Sequence, residues 1–191
     1  MSDTFEELDE YRWAIDDLAY HQARVLMLVT SVAAEPQHNR KLDGLTKLAK
    51  LDFLVRYPAL APVILDQVDG EDARLHLTQE DRLDPTGVED PMTRYKYGPW
   101  DDRYYPVIGA LVARGLVRYG SGRKGSVSLI PTSAGKKLAS ELAQDEVWVE
   151  LAHRCAAVAE GSRGMTGNAL KELIYERLAT LMDRPHRHVI S

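Results

Sequence analysis

The residues of this sequence that could do chemistry are few, and they form no complete catalytic or metal-binding pattern. Only His186 and His188 lie close together among the six histidines, and no cysteine or carboxylate pattern completes a metal site around them. The single cysteine, Cys155, lies on an apolar helical face, which favours a core position over a nucleophile. No Ser-His-Asp arrangement or Gly-x-Ser-x-Gly motif is present. We therefore expect a protein that is not an enzyme, with no catalytic residue, metal or cofactor.

One glycine pattern has to be distinguished from a nucleotide site. Gly120, Gly122 and Gly125 have the spacing of the dinucleotide-binding fingerprint. The residues that follow are typical of a strand, so no helix N-terminus is available to bind a pyrophosphate. We interpret the glycines as the turn of a β-hairpin.

Composition limits the class of protein before any motif is considered. The chain has 191 residues, of which 45% are hydrophobic and 28% charged, as in an ordinary globular domain. No apolar run approaches the roughly 18 residues that a membrane span needs. The acidic segment Met1–Glu10 does not resemble a signal peptide, and a single cysteine fits a reducing compartment. We therefore expect a cytoplasmic protein with no membrane contact.

Charge is distributed unevenly along the chain. The net charge is -5, which argues against a protein that coats nucleic acid nonspecifically. Residues 59–91 carry 2 basic and 9 acidic side chains, whereas residues 92–138 carry 9 basic and 2 acidic ones. The basic block is a candidate surface for a polyanion or an acidic partner. Alternatively, the two segments neutralise each other within the fold.

The first half of the chain predicts helices and one long loop. Helical spacing of apolar residues predicts a helix from about Glu10 to Val32. A shorter helix follows, with Asp43 as its N-cap, and Pro58 ends it by about Arg56. A short apolar helix is possible within residues 59–68. Residues 69–91 are predicted to be an acidic loop.

The second half predicts a strand, a hairpin and four helices. Alternation over residues 92–97 predicts a strand that Gly98-Pro99 interrupts, and Asp101 or Asp102 begins a helix that runs to about Arg114. Two β-rich runs flank the glycine-rich basic turn at residues 120–125. Thr132 or Ser133 then caps a helix to about Leu142. Further helices are predicted at 145–160 and 168–182, followed by a frayed tail at 184–191.

This order of elements predicts a mainly α fold with a small antiparallel β wing, an α+β arrangement of the winged helix-turn-helix type with extra C-terminal helices. The predicted division is an N-terminal helix and loop at 1–40, a winged-helix core at 41–142 with an acidic insertion at about 66–90, and a C-terminal helical extension and tail at 143–191. A mixed α+β domain with an unrelated hairpin is the alternative.

DNA binding is a separate question from the fold. The wing and its surroundings could neutralise phosphates through Arg118, Arg123, Lys124, Lys136 and Lys137. The helix in the recognition position, however, begins with two aspartates that would repel phosphate. It has no Asn, Gln or Lys, and no second Arg between Arg103 and Arg114, to read base edges. This helix is poorly suited to sequence-specific recognition.

The start of the same helix has the composition of a protein interface. Aromatic residues and arginine are enriched where protein surfaces meet. The candidate partner-binding residues are Trp100, Asp101, Arg103, Tyr104 and Tyr105. The alternative is that these aromatics only close the core beneath the acidic segment.

Three segments of the sequence resemble one family. They are Lys47-Leu48-Ala49-Lys50-Leu51-Asp52-Phe53-Leu54-Val55-Arg56-Tyr57-Pro58, Arg94-Tyr95-Lys96-Tyr97-Gly98-Pro99-Trp100-Asp101-Asp102-Arg103-Tyr104-Tyr105 and the shorter Leu170-Lys171-Glu172-Leu173-Ile174-Tyr175-Glu176. The chain from about Lys41 to Met182 is similar to the small middle component of ABC-three-component systems, related to the accessory subunit of Lamassu antiphage defence. The resemblance implies a non-enzymatic winged-helix subunit that tethers an SMC-like ABC ATPase to an effector. The acidic stretch 66–90 and the tail have no counterpart in the family.

Two functions follow as expectations. The first is a non-catalytic adaptor between the ATPase and the effector, with an auxiliary nonspecific DNA contact through the wing. The alternative is a dimeric winged-helix transcription regulator that binds duplex DNA, with the long first helix as its dimer seam.

Overall fold

A computed structural model of the chain describes residues 18–84, 92–95, 98–122, 125–179 and 189–190. The fold is mainly helical with small antiparallel sheets. The helices are α1 Leu18–Ala34, α2 Leu45–Arg56, α3 Ala61–Ile64, α4 Gln79–Leu83, α5 Tyr104–Ala113, α6 Ser133–Leu142, α7 Val149–Gly161 and α8 Gly167–Arg177. The strands are β1 Leu42–Asp43, β2 Met92–Tyr95, β3 Gly98–Trp100, β4 Val117–Ser121, β5 Val127–Pro131 and β6 Val189–Ile190. Within those ranges, no helix is both long and apolar enough to cross a membrane.

Helix α1 forms the centre of the core. Its apolar side chains Val25, Leu28, Val29 and Val32 recur at helical spacing and are all at most 1% exposed. Helices α5, α6 and α7 and strand β5 all pack against it. The predicted first helix is confirmed from residue 18 onward, and its predicted start at Glu10 lies outside the described residues.

A three-stranded antiparallel sheet lies beside these helices in the order β1-β5-β4. Strand β1 pairs with β5 through Leu42 and Leu129, and the hairpin β4–β5 pairs Val117 with Pro131. The hairpin prediction is confirmed. The prediction that Asp43 caps α2 is wrong because Asp43 lies in β1, and Gly44 occupies the N-cap position with φ +86°, which glycine adopts readily.

A second small sheet, in the order β3-β2-β6, corrects two expectations. The Gly98-Pro99 pair does not end the extended structure, since it belongs to β3, which pairs with β2. The chain tail contributes β6, in which Val189 pairs with Thr93 and Ile190 pairs with Met92. Val189 and Ile190 are therefore not frayed.

The acidic segment is ordered between residues 66 and 84, which corrects the prediction of a loop. It contains a 3-10 turn, Ala73–Leu75, and helix α4, which Thr78 and Asp81 begin with reciprocal capping hydrogen bonds. Arg74 joins the segment to α7 through Glu160, with 2.6 Å between nitrogen and oxygen. Arginine pairing therefore holds part of this acidic segment on the helical body.

Helix α5 follows β3 after a tight turn and ends before Gly115, which has φ +68°. Thr132 then caps α6, because its hydroxyl accepts a hydrogen bond from the backbone N–H of Gly135. The predicted helices at 101–114 and 133–142 are confirmed to within a few residues, but the prediction that Asp101 or Asp102 caps α5 is wrong, because its N-cap residue is Arg103. The two C-terminal helices are also confirmed, with the bounds of α7 and α8.

Candidate partner-binding site

The turn between β3 and α5 directs some of its side chains into the protein and others toward solvent. Asp101 points inward and is 8% exposed, and one of its oxygens accepts the backbone N–H of Arg103 at 2.9 Å. An aspartate that accepts a hydrogen bond from the backbone two residues ahead fixes a turn. This turn sets the direction in which α5 leaves the sheet.

Two arginines converge on the Asp101 carboxylate. Arg56 of α2 donates to it at 2.8 Å, and the guanidinium of Arg103 donates to both of its oxygens, the closest at 2.8 Å. Burial opposes ionisation of this carboxyl group, but the hydrogen bonds from Arg103 and Arg56 hold its pKa well below the usual range. Asp101 is therefore an ionised link between α2 and the start of α5.

A second buried carboxylate, Asp52, lies one helical turn before Arg56. It is 0% exposed, and it accepts hydrogen bonds from Arg24 Nε and from the Tyr104 hydroxyl, each at 2.8 Å. Burial opposes ionisation of Asp52, and the charges of Arg24 and Arg56 outweigh it, so the pKa of Asp52 is lowered. Burial and the charge of Asp52 raise the pKa of Tyr104 well above its usual value, which keeps the phenol a donor.

His21 joins the two halves of this buried network. Its Nδ1 lies 2.9 Å from a nitrogen of Arg24 and its Nε2 lies 2.6 Å from a nitrogen of Arg103. A neutral imidazole has one lone pair and can accept from one arginine, whereas a protonated ring can accept from neither. We call His21, Arg24, Asp52, Arg56, Asp101, Arg103 and Tyr104 the buried charge network.

The outer side of the turn carries the exposed part of the predicted site. Tyr105 is 63% exposed, and its ring centroid lies 6.0 Å from that of Trp100. The Trp100 indole N–H donates to Asp102 at 3.1 Å, and its ring meets Tyr104 edge-on at 5.4 Å. We call Trp100, Arg103 and Tyr105 the docking patch. Arg103 belongs to both groups, since its guanidinium contacts Asp101 and His21 while its side chain is 30% exposed.

Two of the five predicted partner-binding side chains are not available at the surface. Tyr104 is 1% exposed and Asp101 is 8% exposed, so neither can belong to an exposed patch. Both instead belong to the buried charge network. The alternative that aromatics at this turn close the core therefore holds for Tyr104, while Tyr105 is exposed.

The outward face of α5 is apolar and small. Its exposed residues are Tyr105, Pro106, Gly109 and Ala113, and Val107, Ile108 and Leu111 of the same helix are buried. Between Tyr105 and Ala113 no side chain offers an amide or a cationic donor. Such a face can pack against a protein surface, but it lacks the groups that recognise base edges.

The predicted phosphate contacts are partly within the described residues. Arg118, Lys136 and Lys137 are exposed, whereas Arg123 and Lys124 lie outside the described part of the chain. Gly135 packs directly on the backbone carbonyl of Leu116, which brings the start of α6 beside the turn between α5 and β4. Lys136 directly follows Gly135 and Arg118 lies two residues after Leu116, so both cations lie near this junction beside the hairpin.

The buried charge network contains four residues that the sequence analysis did not identify as functional: His21, Arg24, Asp52 and Arg56. A signal was present, since Arg24 interrupts the otherwise apolar run Ala23–Val29 and Asp52 falls in the apolar stripe of α2. Charged residues are rarely fully buried unless they are paired. Among the described residues, no three His, Cys, Asp or Glu side chains converge as metal ligands would. Comparison of the chain with family models, with curated proteins and with solved structures finds no match.

Proposed function

We propose that this chain is a non-catalytic winged-helix adaptor that joins an SMC-like ABC ATPase to an effector subunit in bacterial antiphage defence. The family and its partners come from the sequence resemblance. The winged-helix assignment is supported by the order α1, β1, α2, α5, β4, β5 and by the pairing of β1 with β5. In this assignment α5 occupies the position of the recognition helix and the hairpin β4–β5 is the wing.

The outward face of α5 is the observation that carries the proposal. A helix that reads DNA needs arginine, lysine, asparagine or glutamine side chains directed at the major groove. The exposed residues Tyr105, Pro106, Gly109 and Ala113 supply none of these. A protein surface is the partner that this face suits, because small residues allow close approach and the tyrosine provides an anchor.

The buried charge network supports the same function by holding the docking patch in place. Asp101 fixes Arg103 through three side-chain contacts and one backbone contact. Arg56 ties that carboxylate to α2. A patch that is already ordered loses little conformational entropy when a partner binds, which favours affinity.

Co-purification with the neighbouring ATPase tests the proposal. Tyr105→Ala should weaken the complex by about 2 kcal/mol, roughly 30-fold in Kd, if Tyr105 is an anchor. Tyr119→Ala is the matched control, because Tyr119 is a tyrosine of similar exposure, 53%, on the hairpin. Equal retention of the ATPase by both variants would exclude α5 as the docking surface. An ATPase that never co-purifies with the wild-type chain would exclude the adaptor function.

An auxiliary DNA contact fits the exposed cations Arg118, Lys136 and Lys137. We expect weak binding that ignores sequence and falls steeply with salt. The rival regulator needs a free dimer seam on the first helix, but α5, α6, α7 and β5 pack against α1 and most of its residues between His21 and Ala33 are buried. Fluorescence anisotropy with labelled duplexes at two salt concentrations distinguishes the two functions. Nanomolar, sequence-selective binding would favour the regulator.

A further inference from the structure

Two histidine side chains meet at the surface where the acidic segment lies against α7. His76 directly follows the 3-10 turn Ala73–Leu75 of that segment, and His153 lies on α7. The Nε2 atom of His76 and the Nδ1 atom of His153 are 2.9 Å apart. Neither histidine belongs to the buried charge network, and the pair joins elements that are 77 residues apart in sequence.

The two imidazole rings are joined edge to edge. Their centroids are 5.2 Å apart, and their planes differ by only 9°. With 2.9 Å between the two nitrogens, a centroid separation of this size requires both nitrogens to lie on the line between the ring centres. The rings are therefore nearly coplanar. One hydrogen atom lies between the two nitrogens, and one ring donates it to the lone pair of the other.

A pair with this geometry takes up extra protons in two different places. The neutral pair already has a hydrogen atom between its rings, so the first extra proton enters on a nitrogen at the outer side of the pair. His76 Nδ1 is an outer nitrogen, and it lies 3.9 Å from Glu150 Oε1. One charged ring strengthens the hydrogen bond between the rings. A second extra proton has to enter between the rings, where two N–H groups on two cations then face each other, so double protonation breaks the contact.

The turn before His76 has other attachments to α7, and these do not titrate as histidine does. The charged side chains that contact the pair or its turn are Glu150, Arg154 and Glu160 of α7 and Asp72 and Arg74 of the turn. Arg154 donates to the carbonyl oxygen of Leu75 at 2.9 Å, and the Leu75 side chain is fully buried. The hydrogen bonds from Arg74 lower the pKa of Asp72 and of Glu160, so these ion pairs persist when histidine becomes charged.

The residues after His76 are attached more weakly. Helix α4 has no buried residue, and Leu83 at its end is 80% exposed. The ion pair between Arg82 and Glu71 lies within the acidic segment and is exposed, so it contributes little. His76 itself has φ +50°, in the left-handed region that residues other than glycine seldom adopt. A conformation of this kind persists only where surrounding contacts hold it, and the contact with His153 is one of them.

We propose that His76 and His153 form a proton-operated clasp for the end of the acidic segment. With no more than one extra proton, the pair keeps the chain from His76 to Asp84 in position. With two extra protons the rings separate and this part of the chain is released, while the turn Ala73–Leu75 stays on α7. This inference does not depend on the adaptor function.

Nuclear magnetic resonance of the full chain from pH 8 to pH 4.5 tests the clasp, since histidine side chains change charge within this range. Imidazole nitrogen shifts count the protons on each ring, and a nuclear Overhauser effect between the two rings reports their contact. We expect two protonation steps, with the Overhauser effect kept through the first and lost in the second. Hydrogen exchange in residues 77–84, corrected for its intrinsic pH dependence, should become about tenfold faster in the second step.

Two variants separate the clasp from a general effect of acid. His153→Gln keeps a side chain that donates and accepts hydrogen bonds but takes up no proton, so exchange in residues 77–84 should stay slow at every pH. His76→Asn removes the contact while asparagine tolerates the left-handed backbone, so exchange should be fast at every pH. Glu141→Gln, which replaces an exposed carboxylate of α6 outside these contacts, is the matched control and should behave as the wild type does.

Three results would overturn the proposal. The first is an Overhauser effect that persists when both rings are charged. The second is an equal acceleration of exchange in wild type and in His153→Gln. The third is an acceleration in α1 as large as that in residues 77–84, which would show that acid unfolds the whole chain. Circular dichroism of each variant at pH 8 checks that the fold is kept.

Discussion

Replacement of Asp52 by asparagine is the sharpest test of the buried charge network. The side chains have nearly the same shape, so Asp52→Asn removes the charge without opening a cavity. In wild type, Arg24 and Tyr104 both donate to the Asp52 carboxylate at 2.8 Å, and Arg56 lies 3.6 Å from it. The NH₂ group of an asparagine would face these donors and could not accept from them. The variant therefore leaves the buried guanidinium groups of Arg24 and Arg56 with one negative charge fewer beside them.

The expected loss of folding stability follows from how deeply Arg24 and Asp52 are buried. Removal of one partner from a buried ion pair costs about 3–5 kcal/mol, because the remaining charge has lost both water and its counter-ion. Arg24 and Asp52 have side-chain exposures of 2% and 0%, so solvent screening is small. A loss of that size is a large part of the roughly 5–15 kcal/mol that stabilises a typical protein. For a chain of this length, the Tm should fall by roughly 6–20 °C.

Urea denaturation followed by circular dichroism measures the effect, with Asp66→Asn as the matched control. Asp66 makes an ion pair of similar length with Arg177, 2.7 Å, but its side chain is 69% exposed. Its replacement should leave the free energy of unfolding nearly unchanged. If Asp52→Asn lowers the free energy of unfolding no more than Asp66→Asn does, the buried charge network neither holds these helices together nor positions the docking patch.

Two further predictions concern stability. Asp52 and Asp101 have lowered pKa values in the folded state, so below about pH 4 the unfolded chain binds more protons than the folded chain. The stability that these carboxylates contribute should therefore be lost as the pH falls through their folded pKa values. Urea titrations from pH 7 to pH 2 should show a smaller loss of stability in Asp52→Asn than in wild type. Gly135→Ala should lower the free energy of unfolding by about 2 kcal/mol, because the added Cβ would overlap the Leu116 carbonyl. Gly109→Ala lies in open space within α5 and should raise the free energy of unfolding by up to about 1 kcal/mol. Thermal melts that rank the two variants in the opposite order would contradict this packing.

Local patterns predicted most of the secondary structure because capping, turns and helical spacing are properties of neighbouring residues. The Thr132 cap, the stop at Gly115 and the hairpin all follow from residues within a few positions of each other. The buried charge network could not be predicted in this way. Arg24 and Asp52 are 28 residues apart, and Arg56 and Asp101 are 45 apart, so only the packing of α1, α2 and α5 brings them together.

The burial of Tyr104 is an intermediate case, since helical spacing alone separates it from Tyr105. Tyr104 lies three residues before Val107, four before Ile108 and seven before Leu111, which is the stripe of α5 that faces the core. Tyr105 is one position off that stripe and faces outward. The shared aromatic character of the two tyrosines suggested one patch, but consecutive residues point about 100° apart around a helix, so Tyr104 faces the core and Tyr105 faces solvent.

This separation of faces bears on the proposed adaptor function, because it gives α5 an outward face that the core does not use. The inner face of α5 begins with Tyr104, whose hydroxyl donates to the Asp52 carboxylate that Arg24 and Arg56 also approach, so this contact anchors the start of the helix. The same constraint fixes which residues face outward. If a partner uses that face, the side chain that decides its affinity is Tyr105, while the one that decides whether the face exists is Asp52. Loss of the first should weaken binding at unchanged stability, and loss of the second should reduce both together.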